Sequence, residues 1–176
     1  MTKCYNEAEI ESIYAGVGGI VGRSISSTVT YCHNKGKIVV TDGNIDNNAM
    51  AGGIIGVLYN ANVSYSYNRA DLIINKNLLG SIVGLSDETS SISNCYNTGS
   101  LTGNLNVKEI LGHDAGSANE RGKCTIESCY YLGTETVDQQ RTESDMKTEE
   151  FINLIGGETY WKIDEDDEND GYPILN

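Results

Sequence analysis

Five cysteines, two histidines and one acidic run hold the reactive side chains of this sequence. The cysteines stand at positions 4, 32, 95, 124 and 129. In an oxidising compartment such residues form a disulfide framework, yet their number is odd. Cys124 and Cys129 are separated by four residues, not by the two of a Cys-x-x-Cys zinc or redox site, and a local disulfide between them is the alternative to free thiols. His33 follows Cys32 directly. A Cys-His nucleophilic pair would need both side chains on one side of the backbone, whereas neighbours in a strand point to opposite faces. The stretch DEDDENDG, residues 164 to 171, places Asp166, Glu168 and Asp170 ahead of Gly171. That spacing copies the first half of an EF-hand loop, but no glutamate follows at the twelfth position. Calcium at the Asp164 to Asp170 run is therefore weighed against a solvated hairpin. Sugar cleavage needs paired carboxylates on one face. Asp71, Asp87, Glu88 and Asp114 occupy different slots of the repeating units described next. No residue is assigned a catalytic, cofactor-binding or metal-binding role.

The elements that carry these residues repeat. GGIVG at 18 to 22, GGIIG at 52 to 56, GSIVG at 80 to 84 and a degenerate GHDAG at 112 to 116 begin 34, 28 and 32 residues apart. Each is followed by a second string, TVTYCHN, NVSYSYN, SISNCYN or TIESCYY, and KCYN near the start supplies one more. The recurring Cys or Ser positions, Cys4, Cys32, Ser66, Cys95 and Cys129, lie 28, 34, 29 and 34 residues apart. Self-similarity at about 30 residues indicates a solenoid. Leucine-rich, ankyrin and tetratricopeptide arrays lack support, because neither a leucine scaffold nor a helical period is present.

In a parallel β-solenoid, equivalent residues of successive coils are about 4.8 Å apart, so each inward position becomes a column. Ile20, Ile54 and Ile82 form one expected aliphatic column, and Val29, Val63, Ile92 and Ile126 another. The Cys and Ser slot is a column of small side chains, which favours buried, reduced thiols. Next to it Tyr5, His33, Tyr67, Tyr96 and Tyr130 are expected to stack ring on ring. Asn6, Asn34, Asn68 and Asn97 then form an amide column that ends at Tyr131. Gly36 and Gly99 are expected at a turn with positive φ, where Ala70 departs from the pattern.

These strings resemble the GLUG-motif repeats of large secreted and surface proteins of bacteria. GSIVG and SISNCYNTGSL carry the resemblance best, and it covers residues 15 to 133. His113-Asp114-Ala115 departs from it. The resemblance implies a right-handed parallel β-helix and a noncatalytic module of a cell-surface or secreted protein, a rigid spacer or adhesion scaffold. A carbohydrate-binding or polysaccharide-cleaving β-helix is the rival. Host or matrix proteins or glycans would be met through variable turns such as residues 41 to 50 and 108 to 123.

The single proline and 20 glycines suit many short strands joined by turns. The net charge is −13, and residues 134 to 176 contribute 13 acidic and 3 basic side chains to it. No basic stripe is present to follow a phosphate backbone, which excludes nucleic-acid binding, and no run approaches the roughly 18 apolar residues of a membrane span. The expectation is an all-β fold of about four to five coils. Residues 1 to 133 form the solenoid, with a partial unit near 1 to 14 and units at 15 to 48, 49 to 77, 78 to 109 and 110 to 133. Residues 134 to 176 form a C-terminal cap. It comprises a short helix near 148 to 156, with Thr148 as N-cap and Phe151, Leu154 and Ile155 as its apolar stripe, then an acidic hairpin closing over the last coil. KCYN opens in mid-unit, and the expectation drawn from it is that further repeats of a longer parent chain come before it.

Overall fold

A computed structural model describes residues 1–41, 49–75, 78–87, 89–104, 106–118, 122–136 and 138–176. One turn of the chain consists of five short strands, as in Thr28–Thr30, His33–Asn34, Ile38–Val40, Met50–Gly52 and Ile55–Tyr59. Equivalent strands of successive turns pair in parallel and build five ladders. The register follows the sequence columns: Tyr5, His33, Tyr67, Tyr96 and Tyr130 lie opposite one another in turn. So do Val29, Val63, Ile92 and Ile126. The molecule is an all-β parallel solenoid with a short helix and a C-terminal hairpin, as the repeats imply.

Two apolar clusters fill the interior. Val29, Ile54, Val63, Ile82 and Ile92 belong to one, and Ile38, Val40, Leu72, Ile74 and Leu79 to the other. Each such side chain is almost fully removed from water, a gain of about 1.5–3 kcal/mol per residue. The small-residue column has a second role beyond filling tight space. Each of its side chains donates to the carbonyl two residues earlier: Cys32 to Thr30 at 3.2 Å, Ser66 to Ser64 at 2.9 Å, Cys95 to Ser93 at 3.1 Å and Cys129 to Glu127 at 3.3 Å. Between donor and acceptor sits a residue with positive φ: Tyr31, Tyr65, Asn94 and Ser128, at 45 to 55°. The thiol or hydroxyl thus closes a left-handed corner that is costly for non-glycine residues. Gly36 and Gly99 do not have positive φ. They are glycine because a Cβ there would run into the backbone carbonyl of Ala8 or Ala70 in the preceding turn.

The fourth unit corrects the alignment made from the glycine strings. Gly80, Ile82, Val83 and Gly84 meet Lys108, Ile110, Leu111 and Gly112. The equivalent of GSIVG is therefore KEILG at 108 to 112, and its aliphatic pair is intact. His113 and Asp114 continue that strand opposite Leu85 and Ser86. The extra length falls after it, where helix α1 (Ala115–Ala118) leads towards Cys124.

The C-terminal part begins with Gln140–Arg141, which adds a sixth strand to the ring-bearing sheet. Helix α2 (Glu143–Met146) follows, with Thr142 and Asp145 forming a reciprocal capping box. Helix α3 (Glu149–Leu154) is capped by Thr148, as its sequence suggests. It buries Phe151, Ile152 and Ile155, while Leu154 is exposed, so the apolar stripe lies one position off the expected one. Trp161–Lys162 and Ile174–Leu175 pair antiparallel on either side of the acidic loop. The assembly starts on the last turn, where Gln140–Arg141 pairs with Tyr131 and Leu132, and extends from there back along the flank of the solenoid. Lys35 donates to the Glu168 carbonyl at 2.8 Å, Arg69 pairs with Asp170, and Tyr96 donates to the Pro173 carbonyl at 2.5 Å. Ile126 of the last turn is left partly in solvent. No helix among the described residues is long and apolar enough to cross a membrane.

Candidate functional site

The outer face of the ring-bearing sheet is where the side chains converge. Tyr5 and His33 stack at 5.4 Å, His33 and Tyr67 at 4.8 Å, and Tyr67 and Tyr96 at 5.0 Å, all within 11° of parallel. The stack stops there. Tyr130 keeps the register, but its ring meets Phe151 edge-on at 5.6 Å and Arg141 lies over it at 4.5 Å. One residue further, facing inward, the amides form a continuous chain. Asn6 donates to Asn34 at 2.8 Å, Asn34 to Asn68 at 2.9 Å and Asn68 to Asn97 at 2.8 Å. The second N–H of Asn6, Asn34 and Asn68 goes to the carbonyl two residues on, and Asn97 donates likewise to Gly99, so Asn34 and Asn68 use both donors in a buried, low-dielectric setting.

The flanking cap covers Tyr67 and Tyr96 and leaves the earlier rungs open. Between them runs a groove of about 590 Å³. Its solenoid wall is made of Tyr5, Glu7, His33, Lys35 and Tyr67, and its cap wall of Lys162, Glu168, Ile174 and Leu175. Burial, reinforced by Lys35 and opposed by Glu7, lowers the His33 imidazole to about 4. Burial likewise raises the Tyr67 and Tyr96 hydroxyls well above the ordinary phenol range. His33, Tyr67 and Tyr96 are therefore uncharged at neutral pH.

The reactive residues singled out from the sequence are dispersed. All five thiols are free, Cys124 and Cys129 included. Burial raises the pKa of Cys32 and of Cys95, and that of Cys124 to about 11, which suppresses the nucleophilic thiolate. Cys32 packs in the core while the ring of His33 stands in the outer stack. His113 lies on a different sheet. Asp71 accepts from the Ser100 backbone and hydroxyl, and Asp114 accepts from the Cys124 N–H. Asp87 and Asp114 share a sheet one register position apart, with Asp71 elsewhere; Glu88 lies outside the described residues.

In the acidic loop, burial works to raise the Asp164 carboxyl, but N–H bonds from Asn169, Gly171 and Glu168 hold it below its ordinary range. Those bonds, at 2.7, 2.9 and 3.0 Å, turn its oxygens inward to close the loop. Among the described residues no three His, Cys, Asp or Glu side chains are grouped as metal ligands. Two features escaped the sequence reading. Helix α2 was signalled by Thr-x-x-Asp at 142 to 145. The groove had no signal, because its walls come from opposite ends of the chain.

The GLUG motif matches the chain at residues 13–39 and 76–102. The unit between the matches, from Met50 to Ile74, pairs in register with both neighbours, so the structure makes the array continuous. Comparison with curated proteins and with solved structures returns no match.

Proposed function

We propose that this chain, which matches the GLUG motif at two places, serves as a noncatalytic, rigid spacer and adhesion scaffold in a secreted or surface protein of a bacterium. The observation that carries this reading is the unbroken register of the ladders from the first turn to the last, with the cap bonded to successive turns along one flank. Turns locked in register by continuous ladders, with the cap as an added tie along one flank, resist bending and opening as one body. The buried thiols and the inward-turned Asp164 support a structural role for groups that would otherwise suggest chemistry. The family resemblance supports the surface setting. Variable turns are the proposed contact points for a host or matrix protein or glycan, although residues 42–48 and 119–121 of those turns lie outside the described residues.

Native-state hydrogen exchange tests the spacer role. Sheet amides of all turns are expected to share one opening free energy, that of global unfolding. Turn-by-turn opening would remove the basis for a spacer. Incubation with acidic and neutral polysaccharides tests the noncatalytic part, and release of new reducing or unsaturated ends would refute it.

A further inference from the structure

We propose that the flank groove binds a neutral oligosaccharide, with the Tyr67 hydroxyl and the His33 imidazole as fixed polar contacts and Glu7 and Lys162 at the rims. The inference goes beyond the spacer role and does not rest on it, since a rod can be rigid whether or not its groove is filled.

The first observation is an unmatched hydroxyl. Tyr96 donates to the Pro173 carbonyl and accepts from Asn169 at 2.8 Å. Tyr67, one rung earlier and only 2% exposed, lines the groove with no hydrogen-bond partner among the described residues. Its ring is held between His33 and Tyr96, so the hydroxyl cannot swing away to find one. The hydroxyl meets the solvent of the groove rather than the packed interior, and a ligand hydroxyl would take the place of water there. The His33 ring is clamped in the same stack and neutral, which gives it one donor and one acceptor nitrogen. Neither nitrogen has a hydrogen-bond partner among the described residues.

The second observation is the balance of the walls. Glu7 and Glu168 are offset by Lys35 and Lys162, so the groove favours neither an anionic nor a cationic ligand. Opposite the polar ring edges, half-buried Ile174 and Leu175 provide apolar surface for the C–H face of a sugar, and Tyr5 adds an exposed ring. Ring spacings of 5.4 and 4.8 Å set polar edges at intervals comparable to one sugar unit along a linear chain. The volume of about 590 Å³ lies within the range usual for small-ligand sites. Neutral, polyhydroxylated and linear is the ligand class that uses all of these groups together.

Cellohexaose and chitohexaose, titrated separately into the whole chain with calorimetric and NMR detection, test the proposal. Saturable binding of at least one is expected, with shifts centred on His33, Tyr67 and Lys162. Tyr67→Phe keeps the ring stack and should weaken binding roughly tenfold, the loss of one buried hydrogen bond. Lys162→Ala, at an exposed position that the fold does not need, should also weaken it. Thr102→Ala, on another sheet, should leave it unchanged. Absence of saturable binding by either sugar overturns the proposal. Binding that both groove variants leave intact also overturns it, as does concentration-dependent occupation of the groove by a second copy of the chain.

Discussion

In the solenoid wall Asn34, Asn68 and Asn97 bond to their own kind, each amide serving the turn before and the turn after. In the cap the buried polar side chains work differently: Asp164 bonds to the backbone of its own loop, and Asn169 reaches Tyr96, Tyr172 and Pro173. Both arrangements satisfy groups that would be expensive to leave unpaired. They differ in how damage spreads. A solenoid residue has a copy of itself above and below, so one substitution is felt in three turns. A cap residue has unlike neighbours, and its loss is confined to the surface it pins down.

Glycines give the largest contrast. At Gly53 a Cβ would strike the Ser81 carbonyl and the Asn68 side chain of its neighbouring columns. Gly53→Ala should cost more than about 4 kcal/mol, enough to leave little folded protein in a urea titration. At Gly157 a Cβ would meet nothing within 4 Å, and only the φ of +89° opposes it. Gly157→Ala should cost about 1–2 kcal/mol and leave the fold intact. Equal effects at the two positions would erase the distinction between columns and cap.

Trp161 comes next. It is fully buried, lies 5.5 Å from the Tyr96 ring and donates to the Ile155 carbonyl at 2.9 Å. Trp161→Ala should cost about 3–5 kcal/mol. Hydrogen exchange should speed up in residues 143 to 176 while the ladder amides stay protected. If the ladders open with the cap, the solenoid depends on its brace more than the comparison allows.

Asn68→Ala sharpens the other side of the contrast. It leaves the Ala70 carbonyl without its side-chain donor and breaks the amide chain in both directions. The expected cost is about 2–3 kcal/mol, with exchange accelerated around Asn34 and Asn97 as well as at the site itself. Asn169→Ala should cost a similar amount with changes confined to the acidic loop and the two solenoid residues it touches, Arg69 and Tyr96. A local footprint for Asn68→Ala would count against propagation through the columns.

Much of this wall could be read from the letters, since stacking makes a buried position repeat its own residue type. The Asn, Cys and aliphatic columns all follow from that rule. The fourth unit misled because Gly112 closes one glycine string while looking like the start of another, which displaced the alignment from Lys108 to Gly112. Thr148 was legible as a cap because capping is local. The position of the cap was not: the apolar residues of α3 and Trp161 call for a surface to bury against without saying whether it is the end or the flank. The groove was least legible, since Glu7 and Lys162 become neighbours only through that choice.

The smallest expected effect tests the one rung where a column admits a foreign residue. His33 occupies a tyrosine slot, and its folded-state pKa is lowered from 6.5 to about 4, first by burial and then by Lys35. The folded state therefore holds fewer protons on this ring than the unfolded state does. Its contribution is complete above pH 6.5 and is lost as pH falls from 6.5 towards 4. The loss should be about 1–2 kcal/mol, allowing for the solvent that still reaches the ring. Asp71, Asp164 and Asp170 have folded pKa values lowered from 3.8, so their contributions are lost only at more acidic pH. His33→Tyr restores the column and removes the imidazole, and should flatten the fall in urea stability within the window while leaving the more acidic limb in place. Parallel curves for the two proteins would mean that the ring takes up its proton without disturbing the stack, and that a column tolerates a charge as readily as the cap does.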